Sequence, residues 1–246
     1  LLPEKAFCLR WDIALGTEID GFSVGAETKA QWEQVYLYEE KHCACSSTDR
    51  LFILRHYDVG VYNINTGKEE RVIKPKTPIS DISVTPSGKR LVALDIVNGI
   101  IYVYGLADNL EDYIIPSPDK KHLLTISATE NHICGVQATI IKGEVPEWNH
   151  TEYLLLTWKF SDLGSASPSR IKDVRLCDAY AAPNTDIIYC TSLDTHIKVI
   201  NLSCNKQSVL FGHGTSYYST NVYFTDQEDI LLRRYENGDV FLLDLR

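Results

Sequence analysis

The segment from residue 78 to residue 106, PISDISVTPSGKRLVALDIVNGIIYVYGL, constrains the fold more than any other part of the chain. Its apolar residues form three short runs, separated by Ser87-Gly88-Lys89 and by Asn98-Gly99. Short runs bounded by Gly, Ser and Asn are typical of strands joined by turns. We expect three antiparallel strands, with a two-residue turn at Asn98-Gly99 in which both residues have positive φ. Such a unit cannot bury its own faces, so it needs neighbours of the same kind.

Related units recur along the chain. The end of the third expected strand is the most useful mark, and it falls at Trp11-Asp12, Tyr62-Asn63, Tyr104-Gly105, Trp158-Lys159, Ile200-Asn201 and Leu243-Asp244. Successive marks are 51, 42, 54, 42 and 43 residues apart. A spacing of about 40–45 residues is that of one four-stranded propeller blade. The two longer intervals require insertions, which we place at residues 25–32 and 142–151.

Several of these segments resemble the WD-repeat family. ISVTPSGKRLVAL is similar to the family's first strand, turn and second strand, and GVYNINTGKEERVI to its third strand, turn and fourth strand. In the latter, Tyr62-Asn63 stands where the family has Trp-Asp. TSLDTHIKVINL resembles the turn into the third strand, with Ser192 and Asp194 in their usual places, and Phe211-Gly212-His213-Gly214 resembles the Gly-His pair that opens a repeat.

The resemblance implies an all-β fold, a β-propeller of four-stranded antiparallel blades with about six repeat marks. We expect one propeller domain over residues 1–246, with the clearest repeats at 48–106 and 170–246. The last repeat shows no fourth strand. Either residues 1–15 supply it or it lies outside this sequence, and we expect the sequence to be part of a larger protein. The family's buried His–Asp–Ser/Thr–Trp network is complete in no repeat, so apolar packing between blades must replace it, at about 1.5–3 kcal/mol per large side chain.

Composition narrows the range of partners. The net charge is −9, from 24 basic and 33 acidic residues, which argues against generic binding to nucleic acid or anionic membranes. No apolar run approaches the roughly 18 residues of a membrane helix. The seven cysteines are odd in number and form no CxxC pair, which favours buried free thiols in a reducing compartment. We therefore expect an intracellular, cytoplasmic protein with no nucleic-acid or membrane partner.

Signals for catalysis or metal binding are weak. Cys43 and Cys45 in HCAC would share one face of a strand, which suits a shared metal, but no second cysteine pair supports such a site. Gly21-Phe22-Ser23-Val24-Gly25 matches the Gly-x-Ser-x-Gly pattern, but that signature belongs to a strand-to-helix turn, which we do not expect in this chain. No Gly-rich phosphate loop occurs in the sequence. We expect a protein without catalytic residues, metal or cofactor.

Aromatic residues give the best candidate site. Arg55, His56 and Tyr57 lie at an expected turn between second and third strands, and Tyr217 and Tyr218 follow the Gly-His segment. In a propeller both kinds of connection open on the same ring face, and exposed Tyr beside Arg is typical of interface hot spots. We predict that these five residues bind a protein partner. Packing between blades is the other interpretation of each Tyr.

The function expected from the resemblance is that of a non-catalytic protein–protein interaction scaffold or recognition module. Its partner would be another protein, which the sequence does not identify, or another domain of the same polypeptide. The alternative is a propeller enzyme or small-ligand binder with its site in the central channel. Asp81 in ISDISVTP and Asp173 in IKDVRLCD, at matching positions of two expected first strands, support that alternative. Aspartates capped by backbone amides would argue against it.

Overall fold

A computed structural model describes residues 6–12, 17–24, 42–45, 48–55, 58–107, 110–118, 123–141, 150–164, 167–171, 176–182, 185–192, 197–204, 206–210, 219–224, 230–235 and 240–244. Within these ranges the chain forms β-strands and a short 3-10 turn at Phe160–Asp162, with no α-helix. Consequently, the described residues contain no helix of the length and hydropathy needed to cross a membrane.

Within the described ranges the strands form six antiparallel sheets in chain order, here called units 1 to 6. Unit 1 pairs β1 (Ala6–Asp12) with β2 (Thr17–Val24), and unit 2 contains β3 (His42–Cys45), β4 (Arg50–Leu54), β5 (Val59–Asn63) and β6 (Glu69–Ile73). Unit 3 contains β7 (Asp81–Val84), β8 (Arg90–Asp95), β9 (Ile100–Gly105) and β10 (Tyr113–Pro116). Unit 4 contains β11 (Leu123–Ala128), β12 (His132–Ile141), β13 (His150–Lys159) and β14 (Ser169–Ile171). Unit 5 contains β15 (Leu176–Ala181), β16 (Ile187–Ser192), β17 (Ile197–Asn201) and β18 (Lys206–Leu210), and unit 6 contains β19 (Ser219–Phe224), β20 (Ile230–Tyr235) and β21 (Val240–Asp244).

Strand β8 shows why these sheets stack. Its residues Leu91, Val92, Ala93 and Leu94 are all fully buried, although alternate strand residues point to opposite faces. Leu91 and Ala93 pack in a cluster with residues of unit 2, whereas Val92 and Leu94 pack in a cluster with residues of unit 4. The continuous apolar run is therefore explained by a neighbouring sheet on each face, and each fully buried Leu contributes about 1.5–3 kcal/mol.

Units 4 and 5 pack in the same way, through a cluster that includes Cys134, Val136, Ile188 and Ile200. The first strands of consecutive units are neighbours, β3 beside β7, β7 beside β11 and β11 beside β15. Four-stranded meanders that stack face to face, with adjacent first strands, are the blades of a β-propeller. The predicted all-β propeller fold is therefore confirmed.

The predicted repeat marks coincide with strand ends. Third strands end at Asn63, Gly105, Lys159, Asn201 and Asp244. The mark at Trp11-Asp12 ends β1, whose sheet has two strands in the described residues. The predicted insertion at 25–32 lies outside the described residues, as do positions 142–149.

The insertion predicted at 142–151 extends two residues too far at its C-terminal end, because His150 and Thr151 begin β13. Strands β12 and β13 have 10 residues each, whereas β8 and β9 have 6 each. The greater length of β12 and β13 therefore accounts for much of the long interval between the repeat marks at Tyr104-Gly105 and Trp158-Lys159.

The prediction for Asn98-Gly99 was wrong in detail. The turn between β8 and β9 spans four residues, 96–99, and Gly99 has φ 63°. Asn98 has no positive φ, since Asp49 is the one non-glycine residue with positive φ in the described ranges. The Asp95 carboxylate accepts hydrogen bonds from the Asn98 backbone (2.9 Å) and side-chain amide (2.7 Å). This carboxylate cap stabilises a wider turn than the dipeptide alone suggested.

Candidate functional site

The two ends of the stacked units carry different connections. In each meander, the second strand ends and the first strand begins at the same edge, so the turns between second and third strands share one ring face with the connections between units. We call this the inter-unit face. Turns between first and second strands and between third and fourth strands share the opposite face. Arg55 and Asp58 flank the turn between β4 and β5, which belongs to the inter-unit face.

Arg55, the predicted site residue that the structure describes, is half-buried and held against its own unit. Its guanidinium forms ion pairs with Asp58 and with Glu69 (2.8 Å), and donates a hydrogen bond to the Tyr62 hydroxyl (3.2 Å). Gly60 makes room for this arrangement, because a Cβ there would lie 2.7 Å from Tyr62 Cε2 and 3.2 Å from Arg55 Cζ. Arg55 thus has a structural role, and its part in binding stays a prediction.

The ionisation of this cluster is fixed by burial and charge. Burial raises the pKa of Tyr62 to about 12, and the adjacent Glu69 adds to the rise. Burial would lower the pKa of Arg55, but Asp58, Tyr62 and Glu69 together raise it above its ordinary value. The cluster therefore combines a neutral phenol with permanent ion pairs near neutral pH. His56, Tyr57, Tyr217 and Tyr218 lie outside the described residues and stay predictions.

Exposed apolar side chains mark the inter-unit face in units 3 and 4. Val97, in the turn between β8 and β9, is 72% exposed, and Ile140, at the end of β12, is 68% exposed. Leu124, where the chain enters unit 4, is 41% exposed. The sequence analysis missed these residues, although an apolar residue inside a turn, as at Val97, is a usable signal. Of the remaining described residues, the large apolar ones that are exposed are Ile114 and Val209, on the outer strands β10 and β18.

The β12–β13 hairpin extends past the neighbouring strands of unit 4. The last pair of β11 with β12 is Leu123 with Gln137, whereas β12 and β13 stay paired as far as Ile141 and His150. Four residues of β12 beyond Gln137 correspond to about 13 Å at roughly 3.3 Å per residue. Ile140 therefore lies on a two-stranded projection of the inter-unit face.

The central-channel alternative depended on Asp81, and this carboxylate is occupied. Asp81 Oδ2 accepts hydrogen bonds from Thr125 Oγ1 (2.6 Å) and the Ile126 amide (2.9 Å), while Oδ1 accepts one from the Ile82 amide (3.0 Å). Asp81 is also buried. Capping by backbone amides was the observation expected to argue against a channel site.

The predicted match between Asp81 and Asp173 was wrong. Asp173 itself lies outside the described residues, in the interval between Ile171, which ends β14, and Leu176, which begins β15. The pairs Val84 with Leu91 and Ala181 with Ile188 are equivalent ends of the two hairpins. Counting back from them, Asp178 is the residue equivalent to Asp81. The IKD pattern was misleading because its first residue, Ile171, ends the fourth strand of unit 4.

Further hydrogen bonds join the first strands of units 3, 4 and 5. Ser83 Oγ on β7 accepts from the Ala128 amide (3.0 Å), and Ser127 Oγ on β11 accepts from the Ala181 amide (2.6 Å). These are contacts between units, whereas the network expected from the WD-repeat resemblance lies within one repeat. Together with the apolar clusters, they hold neighbouring units to one another.

Asp186 joins units 4 and 5 on the opposite face. It accepts hydrogen bonds from Thr129 Oγ1 (3.2 Å), Asn131 Nδ2 (3.4 Å) and Ser203 Oγ (3.1 Å), and lies 3.0 Å from His132 Nδ1. Burial would raise the pKa of Asp186, but these partners, led by His132, hold it below its ordinary value. The equivalent turns of units 3 and 4 are joined by Glu130, which accepts from the Ser87 amide (3.1 Å) and hydroxyl (2.8 Å).

Other site chemistry is sparse in the part of the chain that the structure describes. No group of three or more His, Cys, Asp or Glu residues there is placed to hold a metal ion. HCAC forms strand β3, but its side chains lie outside the description. A cleft of about 180 Å³ is lined by Arg50, Phe52, Val61, Glu70, Arg71 and Leu106, smaller than the roughly 300–1,000 Å³ of typical ligand pockets.

The cysteines only partly follow the sequence-based expectation. Cys134 and Cys190 are free and buried, as predicted, whereas Cys204 is free and exposed. Cys204 lies in the turn after β17. The prediction of buried thiols was therefore wrong for Cys204.

Comparison with known proteins supports the fold. No protein-family model matches the sequence, and no curated protein matches it significantly. Solved structures do match, in 1167 chains. One is the crystal structure of the β-propeller domain of Cps50 (Swd1) from Myceliophteria thermophila, with a TM-score of 0.58 and 10% sequence identity. The fold is a β-propeller.

The match covers 84% of this chain and 65% of the Cps50 structure, so the chain spans less than two thirds of that propeller domain's length. At 10% identity the likeness shows the fold alone. The predicted divergent WD-type propeller is thus confirmed at the level of the fold.

Proposed function

We propose that this propeller is a non-catalytic scaffold that binds a protein partner on its inter-unit face. The observation that carries the proposal is the exposure of Val97, Leu124 and Ile140 on that face of two adjacent units. Neighbouring exposed apolar side chains are typical of protein-binding surfaces. Arg55 begins a connection on the same face, and we propose that His56, Tyr57, Tyr217 and Tyr218, which lie outside the described residues, contribute to this surface.

The hydrogen bonds between units support this role. Asp81 and Ser83 hold β7 to β11, and Ser127 holds β11 to β15. Because the strands that carry the loops are fixed relative to one another, a partner meets a largely preformed surface. Preorganisation of this kind lowers the entropy cost of binding.

An enzyme with Asp81 as its acid or base is disfavoured by the same contacts. A catalytic carboxylate must reach the proton that it transfers, whereas Asp81 is buried and accepts three hydrogen bonds from its own chain. We infer that this aspartate serves unit packing. Free buried thiols at Cys134 and Cys190 are consistent with a reducing, intracellular and cytoplasmic setting for the proposed scaffold.

The experiment is an affinity pull-down with mass spectrometry on the intact parent protein. One variant carries Val97→Asp and Ile140→Asp on the inter-unit face. The matched control carries Ile114→Asp and Val209→Asp, which change apolar residues on outer strands that are more than half exposed, as Val97 and Ile140 are. Far-ultraviolet circular dichroism confirms that each variant is folded.

We expect specific partners to be lost from the folded Val97/Ile140 variant and kept by the control. A third variant, with Tyr57, Tyr217 and Tyr218 changed to Ala, tests the predicted aromatic residues on the same face. Partners that persist in the Val97/Ile140 variant, or that are lost equally from the control, would contradict the proposed surface.

A further inference from the structure

The connection between β6 and β7 adds positive charge to the inter-unit face. It reads Lys74-Pro75-Lys76-Thr77-Pro78. Lys74 and Lys76 are exposed, and neither forms an ion pair with another described residue. These two cations stand out on a chain whose net charge is −9.

Hydrogen bonds hold the β6–β7 connection close to the turn that carries the exposed Val97. The connection lies beside the end of β8, because the Ser80 amide and hydroxyl both donate to the Leu94 carbonyl (2.7 and 3.0 Å), and the next residue, Asp95, caps the turn that carries Val97. The Thr77 hydroxyl donates a 3.0 Å hydrogen bond to the Tyr102 hydroxyl on β9. Lys76 adjoins Thr77 in sequence, so this cation lies at the same end of unit 3 as Val97, the most exposed of the large apolar side chains described.

The backbone here has little freedom. Pro75 and Pro78 fix their own φ, and each restricts the residue that precedes it, Lys74 and Thr77 respectively. The Asp95 cap holds the turn that carries Val97. Binding at this surface therefore orders side chains rather than backbone.

We propose that Lys74, Lys76 and Val97 bind a segment of a partner polypeptide in which acidic residues flank an apolar one. This inference rests on the proposed function and specifies the partner's chemistry. The two ammonium groups, which form no ion pair with the described residues, complement carboxylates, and the exposed Val97 supplies apolar contact. Complementary charges fix the orientation of a partner and speed its association.

A polypeptide fits this surface better than nucleic acid does. A polyanion follows its binding surface over many phosphates, so the net charge of −9 would repel it over most of the chain. A short acidic segment meets only the local cations. The apolar residue of such a segment can also contact Val97, whereas a phosphate backbone has no apolar group to place there.

The test measures binding to an array of synthetic peptides of acidic–apolar, basic–apolar and neutral composition. The proteins are the intact wild type, a Lys74→Glu/Lys76→Glu variant and a Lys68→Glu/Lys89→Glu control. The control reverses two exposed lysines in turns of the opposite face. A single-stranded oligonucleotide and anionic lipid vesicles are measured in parallel.

We expect the wild type and the control to retain acidic–apolar peptides preferentially. Reversal of Lys74 and Lys76 should weaken that binding roughly tenfold, and raising salt from about 50 to 200 mM should weaken it in the wild type. Absence of an acidic preference, or a preference unchanged by the reversal, would overturn the inference. Stronger retention of the oligonucleotide or vesicles through the same lysines would overturn it too.

The outcome is separable from that of the proposed function. If the Val97/Ile140 variant loses its partners while the Lys74/Lys76 variant keeps them, the scaffold stands and the acidic-partner inference falls. If the Val97/Ile140 variant keeps its partners, the proposed surface fails, and the peptide array still decides whether the lysines bind acidic segments.

Discussion

Thr125 Oγ1 donates a 2.6 Å hydrogen bond to Asp81 Oδ2 across the interface between units 3 and 4. The two residues occupy first strands of consecutive units, and both are buried. The contact therefore fixes one blade against the next at the centre of the stack. An aspartate that suggested a catalytic channel from sequence is instead part of the packing.

Asp81→Asn should destabilise the protein substantially. An amide in place of the carboxylate presents its own N–H groups to donors that need an acceptor, so at least one buried hydrogen bond is lost. We expect the free energy of unfolding to fall by about 2–3 kcal/mol, measured by urea denaturation. Glu111→Gln, an exposed neutralisation, is the control. Equal midpoints for the two variants would show that Asp81 does not contribute to packing.

Asp186 should make stability depend on acid pH. Its folded-state pKa lies below its ordinary value, which is about 3.9 for Asp. The contribution to folding is therefore fully present above that value and is lost as pH falls through the folded pKa. The difference in unfolding midpoint between wild type and Asp186→Asn should be largest near neutral pH and should shrink below about pH 4. A difference that grows on acidification would contradict this account.

Gly60→Ala tests the packing around Arg55. A Cβ would lie 2.7 Å from Tyr62 Cε2, and the Tyr62 ring is buried, so strain follows. We expect a loss of about 1–3 kcal/mol in unfolding free energy, as for other overpacked sites. In a Tyr62→Leu background the same substitution should cost less, because the ring is gone. Equal costs in both backgrounds would mean that Tyr62 is not the obstacle.

Thiol reactivity should divide the described cysteines into two classes. Burial raises the pKa of Cys134 and of Cys190 well above the ordinary value, and both side chains are inaccessible. A maleimide at neutral pH should modify Cys204 in the folded protein, and Cys134 and Cys190 only after denaturation, as read by peptide mass spectrometry. Fast modification of Cys134 without denaturant would show that units 4 and 5 separate readily.

Local chemistry explains why the strand ends could be predicted from sequence. Asn63 Oδ1 accepts hydrogen bonds from the amides of Asn65 (3.0 Å) and Thr66 (2.9 Å), and Asn201 Oδ1 accepts from Ser203 (3.0 Å) and Cys204 (3.2 Å). Such turns depend on residues within three positions of each other, so the sequence pattern contains them. The meander then follows from short apolar runs between turns.

Contacts between units could not be predicted in this way. Thr125 and Asp81 are 44 positions apart, and His132 and Asp186 are 54 apart. Their meeting depends on the register with which one sheet stacks on the next, which no local pattern specifies.

The central claim is that a protein partner binds the inter-unit face of this propeller, and site-specific photocrosslinking tests it most directly. A benzophenone amino acid is placed at Val97 in one sample of the intact parent protein and at Val209 in another, since both positions are exposed and apolar. We expect a discrete crosslinked protein from position 97 and none from position 209. Crosslinks from position 209 alone, or the same products from both, would contradict the account.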